Sequence, residues 1–120
     1  MTKHRGWIAV GLDSVLAEYV RFEGAGIIGP PVPAMVTRVK AWLAEGRDVR
    51  ILTARISHDG TAQRMMEAQQ AHRAVERWCE LQVGRVMPVT CMIDFKTTEV
   101  WLDRAVQVIP NTGIRVDGRE

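Results

Sequence analysis

Three side chains in this sequence have the types that acyl transfer requires: Ser14, His58 and Asp13. A serine hydroxyl is a weak nucleophile until a neighbouring base takes its proton. His58, in a polar loop over 54–61, supplies such a base, and Asp13 or Asp59 supplies the acid that would orient its imidazole. The plainer readings are a turn serine bonded to its own backbone and an exposed loop histidine. Asp13 in a dry pocket would suit proton abstraction. Its plainer reading is an acid bonded to the backbone of the loop that follows. Lys96 is one of three lysines and has the chemistry of a Schiff base in apolar surroundings, or of an ordinary turn lysine in water. Cys91 reads as a thiol nucleophile or as a buried structural cysteine. His72 lies on an apolar helical stripe and reads as packed, whereas His4 precedes the first strand and reads as solvated.

These side chains need elements to hold them. The apolar run over 7–12 predicts a first strand buried on both faces. Residues 14–29 lack a period and, with Gly24, Gly26, Gly29 and then Pro30, Pro31 and Pro33, predict a flap-like loop. Helical spacing predicts helices over 34–45, with Gly46 as its C-terminal cap, and over 62–83, whose inner stripe is Met65, Ala68, His72, Val75, Trp78 and Cys79. Further strands are predicted over 49–53, 89–93, 100–102 and 105–109, with a turn over 96–99 and loose termini over 1–6 and 114–120. Strands alternating with helices imply a single α/β domain, Rossmann-like and three-layered, with a mainly parallel five-stranded sheet. Its carboxyl edge gathers residues 11–15, 53–59, 93–96 and 102–104, where open α/β sheets place their sites.

Composition narrows the function classes. The chain has 120 residues, 47% of them hydrophobic, and a formal net charge of +2, which suits one globular core. The positive charge is spread rather than clustered, which argues against nucleic acid as a partner. No apolar stretch approaches the ~20 residues of a membrane span, and the basic, apolar N-terminus is interrupted by Asp13 and Glu18 too early for a signal peptide. Cys79 and Cys91 have neither metal-ligand nor disulfide spacing and read as free thiols of a cytoplasmic protein.

Three pieces, Ile8-Ala9-Val10, Ile51-Leu52-Thr53-Ala54-Arg55 and Trp101-Leu102-Asp103-Arg104-Ala105-Val106-Gln107-Val108, resemble motifs of the haloacid dehalogenase superfamily. The resemblance is to its small phosphatase-like members without a cap domain, and it runs over residues 7–113. It implies a Mg²⁺-dependent phosphotransfer site: a nucleophilic aspartate ending the first strand, a general acid two residues on, a hydroxyl ending the second strand, a lysine, and acids after the fourth strand. Asp13 matches the second acid, Thr53 the hydroxyl and Asp103 one acid of the last motif. Gly11 stands where the nucleophile belongs, Ser14 and Val15 where glycine and threonine are usual, Ile93 in place of the lysine and Leu102 in place of an acid. An anionic nucleophile cannot approach a phosphoryl group without a cation to screen it, so phosphotransfer with Mg²⁺ is not expected, nor is another cofactor.

The changes share a direction, from charged to small or apolar. That reads as a redesigned scaffold with an apolar pocket around Gly11, Val15, Thr53, Ile93, Leu102 and Asp103, with natural pseudoenzyme drift as the other origin. Backbone N–H groups that bind an anion in this fold would become an oxyanion hole for Ser14, giving an ester hydrolase acting on a small apolar or ester ligand. The alternatives are a non-catalytic scaffold that binds a small molecule or a partner, and an inert pseudophosphatase.

Overall fold

Trp7–Gly11 forms β1, and all five of its residues are buried. Such a strand needs a neighbour on each edge and cover on each face. The computed structural model describes residues 5–120; expectations for Lys3, His4 and most of the 1–6 tail fall outside them. After β1 come α1 (Pro33–Ala44), β2 (Asp48–Leu52), a single 3₁₀ turn (Ala54–Ile56), α2 (Ala62–Gln82), β3 (Val89–Thr90) and β4 (Thr97–Trp101). The sheet order is β3-β2-β1-β4, and every pairing is parallel.

The helices form for local reasons. Pro33 opens α1 with its backbone angle preset. Gly46, at φ +79°, closes it: the Gly46 and Arg47 amides donate to the carbonyls of Leu43 and Trp42, both at 3.0 Å. Thr61 caps α2 by accepting from the Arg64 amide at 3.3 Å. The inner stripe of α2 is Ala68, Ala71, Ala74, Val75 and Cys79, small residues that let it sit close to the sheet. Met65 is exposed, and His72 is half-exposed with Nε2 3.9 Å from Glu76 rather than packed.

Side-chain alternation puts Ile8, Val10, Val49 and Ile51 on one face of the sheet, and these join Met35, Val36 and Val39 of α1 with Val75 and Cys79 of α2 in one core. Both helices therefore cover the same face. Two successive right-handed crossovers in the same direction require this. The return from β3 to β4 must then cross the other face, and it does so as residues 91–96 without a helix. Trp7 on that face donates from Nε1 to Asp94 at 2.9 Å, and the Arg50 guanidinium lies 4.5 Å from the Trp7 ring centre. The Trp7 bond holds the Asp94 carboxyl below its usual range, helped by the Lys96 amide. Its contribution to stability is thus present above the ordinary carboxylate pKa and lost as pH falls through the lowered one.

Several expectations are corrected. The sheet has four strands rather than five, with helices on one face only, so it is not three-layered. β3 ends at Thr90, whose hydroxyl accepts from the Met92 amide and donates to the Met92 carbonyl, turning the chain out of the ladder. The expected turn over 96–99 lies instead over Asp94–Thr97, where the Asp94 carbonyl accepts from the Thr97 amide, and Thr97 already begins β4.

Residues 105–109 are not a sheet strand. They turn at Pro110-Asn111, with Asn111 at φ +66° as a type II turn requires. They return as a hairpin in which Ile109 donates to Ile114 at 2.7 Å and Val116 to Gln107 at 2.8 Å. The expected loose tail therefore begins inside this hairpin. Among the described residues no helix is long and apolar enough to cross a membrane.

Candidate functional site

The carboxyl edge of the sheet opens into a cavity of about 790 Å³. Gly11, Leu12, Leu52, Thr53, Ala54 and Leu102 line it from the strand ends, Tyr19 and Phe22 from the β1–α1 loop, and Arg64 and Glu67 from α2. Asp13, Ser14, Arg55, Cys91, Asp103 and Arg104 are also on its wall. Parallel strands all present their C-terminal ends on this side, so the chain returns here after each one.

Asp13 is fastened to Arg55. Arg55 Nε donates to Asp13 Oδ2 at 2.9 Å and its Nη2 to Oδ1 at 3.0 Å, a two-point fork. Arg55 Nη1 reaches the carbonyls of Gly24 at 3.0 Å and Ile27 at 2.8 Å, and the guanidinium lies 5.2 Å from the Phe22 ring centre. One arginine therefore ties the loop over 18–29 to the ends of β1 and β2. Trp78 of α2 pins the same loop by donating to the Gly29 carbonyl at 3.0 Å. Thr53 is buried, and its hydroxyl accepts from the Arg55 amide at 3.2 Å, fixing the turn that aims Arg55.

The space beside Gly11 is filled. A Cβ there would stand 2.9 Å from Leu102 Cδ2, 3.0 Å from the Trp101 carbonyl oxygen and 3.1 Å from Val15 Cγ2. Val15 and Leu102 thus both flank Gly11, with Leu102 still 43% exposed. Ile93 does not join them: it is about half exposed in the 91–96 crossing and off the cavity wall. The pocket is also less apolar than expected, with Asp13, Glu67 and Asp103 balanced by Arg55, Arg64 and Arg104.

The structure does not assemble a serine–histidine pair. Ser14 is on the wall, but His58 is exposed and off it, with Nδ1 accepting from the Gly60 amide at 3.2 Å. Asp59 accepts from the amide and hydroxyl of Thr61, at 3.0 and 2.7 Å, which hold its carboxyl below the usual range. The expected oxyanion donors are engaged as well. The Ser14 amide donates to the Ala17 carbonyl at 2.8 Å, the Val15 amide to Leu12 at 3.4 Å, and the Leu16 amide to Leu12 at 3.0 Å. Ser14 itself sits at φ +68°, a left-handed conformation that costs a residue with a Cβ about 1–2 kcal/mol. Ser14→Gly should therefore raise the unfolding free energy by roughly 0.5–1 kcal/mol after the larger unfolded-state entropy of glycine is subtracted. A urea titration checks this, and a lowered midpoint would mean that the hydroxyl makes a stabilising contact.

Of the other candidates, Lys96 lies before β4, at the opposite end of that strand from the cavity, as a turn lysine would. Cys91 is exposed on the cavity wall rather than buried. Cys79 is the buried thiol, and burial beside Glu76 pushes its pKa up to about 12, so it stays protonated and unreactive.

The donor set does not fit Mg²⁺. Both Asp13 oxygens are occupied by Arg55, and Gly11 and Leu102 offer no side-chain oxygen. Among the described residues no three His, Cys, Asp or Glu side chains gather as a metal site would require. Arg55 is the residue that sequence reasoning missed as a site member. Its signal was available: β1 and β2 are parallel neighbours with Gly11 opposite Leu52, so residues two or three beyond each strand must meet. No family model, curated protein or solved structure matches this chain.

Proposed function

We propose that this chain is a haloacid dehalogenase-like α/β domain whose phosphotransfer site has become a non-catalytic cavity for a small, net-uncharged molecule with an apolar body. The observation that carries this is the Asp13–Arg55 fork, which holds in a closed ion pair the carboxylate that would serve as the general acid of phosphotransfer. With Leu102 in the space beside Gly11, the place of the phosphotransfer nucleophile holds no carboxylate, and among the described residues no three metal-ligating side chains gather. The wall's acids and arginines balance, so a ligand with no net charge enters without leaving an uncompensated charge. Tyr19, Phe22, Leu52 and Leu102 offer apolar surface to its body, and Asp103 with Arg104 offers a polar end. The two free thiols suit a reducing compartment such as the cytoplasm.

An activated aryl acetate and its unreactive analogue 4-nitroacetophenone test this reading together. The ketone should bind saturably and raise the melting temperature, as any ligand selective for the folded state does. Phe22→Ala should weaken that binding roughly tenfold, about 1.4 kcal/mol. The acetate should give no burst that depends on Ser14. A burst abolished by Ser14→Ala would establish the ester-hydrolase alternative instead.

A further inference from the structure

We propose that the cavity is selective for zwitterionic α-amino acids with a large apolar side chain, Asp103 taking the ammonium group and Arg104 the carboxylate. This rests on the reading of the cavity as a ligand site and names the class of molecule it takes. The charges on its wall separate into those already matched and those left over. Asp13 and Arg55 are joined by the fork, at 2.9 and 3.0 Å. Arg64 and Glu67 of α2 stand 3.8 Å apart as neighbours along the helix surface. Asp103 and Arg104 are on the same wall. Among the described residues neither belongs to an ion pair, with the other or with any third group. Both are exposed, so water is what satisfies them until a ligand covers them.

A ligand that covers these two groups removes that water, and each charge then needs a partner. A cation satisfies Asp103 and opposes Arg104, and an anion does the reverse. An uncharged acceptor such as a ketone serves Arg104 alone and brings no donor to the Asp103 carboxylate. A zwitterion serves both and adds no net charge to a balanced wall. Neighbouring residues carry the two charges, so the groups they bind lie close together, as the ammonium and carboxylate on one α-carbon do. Leu102, the residue before them, lines the cavity with Leu52, Tyr19 and Phe22. Leu102, Tyr19 and Phe22 are 43%, 40% and 57% exposed, so an apolar side chain of the ligand covers apolar surface beside its charged end. A charged side chain finds no partner, because the other acids and arginines of the wall are matched to one another.

Calorimetric titration of the full chain at neutral pH tests this with L-phenylalanine, phenethylamine and 3-phenylpropionate, the last two keeping the ring and one charge each. Phenylalanine should bind the parent at least roughly tenfold more tightly than either. Asp103→Asn should weaken phenylalanine and phenethylamine roughly tenfold and spare 3-phenylpropionate. Arg104→Gln should weaken phenylalanine and 3-phenylpropionate and spare phenethylamine. Both positions are exposed, and unchanged melting temperatures verify that the fold is kept. Phenylalanine bound by the parent no better than the two singly charged molecules would overturn the proposal. So would a variant that weakens all three alike, since recognition by charge is selective. In both cases saturable binding of 4-nitroacetophenone leaves the cavity reading standing. If none of the four molecules binds, that reading falls together with the proposal.

Discussion

Arg55→Ala is expected to lower the unfolding free energy by about 3 kcal/mol, the low end of the range for breaking a buried ion pair by removing one partner. The Arg55 side chain is 6% exposed and that of Asp13 is 24% exposed. Truncation leaves the Asp13 carboxylate without its fork and two loop carbonyls without their donor. Water can reach Asp13 from the cavity, which keeps the loss from being larger. At about 3–6 °C per kcal/mol for a domain of this size, the melting temperature should fall by on the order of 10–20 °C. Arg55→Lys should recover little, because an ammonium cannot make a two-point contact and also reach the loop. Asp13→Asn should cost less than Arg55→Ala, since Arg55 keeps its carbonyl acceptors. In limited proteolysis the Arg55→Ala variant should be cut first within 18–29. Thermal unfolding within 1 °C of the parent would show that the loop is held by Trp78 and its own backbone instead.

Gly11→Asp is expected to lose about 3 kcal/mol or more without gaining phosphatase activity. A Cβ at this position meets Leu102, the Trp101 carbonyl and Val15 at 2.9–3.1 Å, and overpacking of this kind costs about 1–3 kcal/mol. The added carboxylate would also be buried against a carbonyl oxygen with no donor facing it. The Leu102 methyl is the contact that can move. Leu102→Asp should therefore offset part of the loss, so that the double variant is more stable than the sum of its parts, as a double-mutant cycle would measure. If the haloacid dehalogenase alignment is right, these two changes with Ile93→Lys form the smallest set from which Mg²⁺-dependent release of 4-nitrophenol from its phosphate is expected, because members of a catalytic unit act together. Turnover by the unmodified chain would refute the alignment.

The central elements were legible because their burial writes a pattern. Trp7–Gly11 is a continuous apolar run, and Met35, Val36 and Val39 keep helical spacing against the core. The edge of the sheet was not legible, because β4 has one neighbour and its Thr97-Thr98-Glu99 start is polar. The Val-Gln-Val-Ile run at 106–109 has strand propensity and is extended, but propensity does not name a partner, and the chain folds back on itself rather than onto the sheet. The second helical layer was inferred from the alternation of elements, yet among the described residues there are two α-helices and both cross in the same direction. At the site, the ends of β1, β2 and β4 were placed within one residue and that of β3 was not, while the Asp13–Arg55 pair stayed hidden because its members lie forty-two residues apart. Their meeting depends on register, and a single sequence does not state register.

The position of β1 between β2 and β4 has a consequence for the chain as it is made. Trp7 pairs with Asp48 on one side and Thr97 on the other. During synthesis β1 can pair with β2 once residues 48–52 have been made, while its other edge stays open until β4 has followed. An apolar strand with an unpaired edge is a template for pairing with other chains. The hazard falls on the nascent protein, and it ends only when residues 97–101 close the sheet.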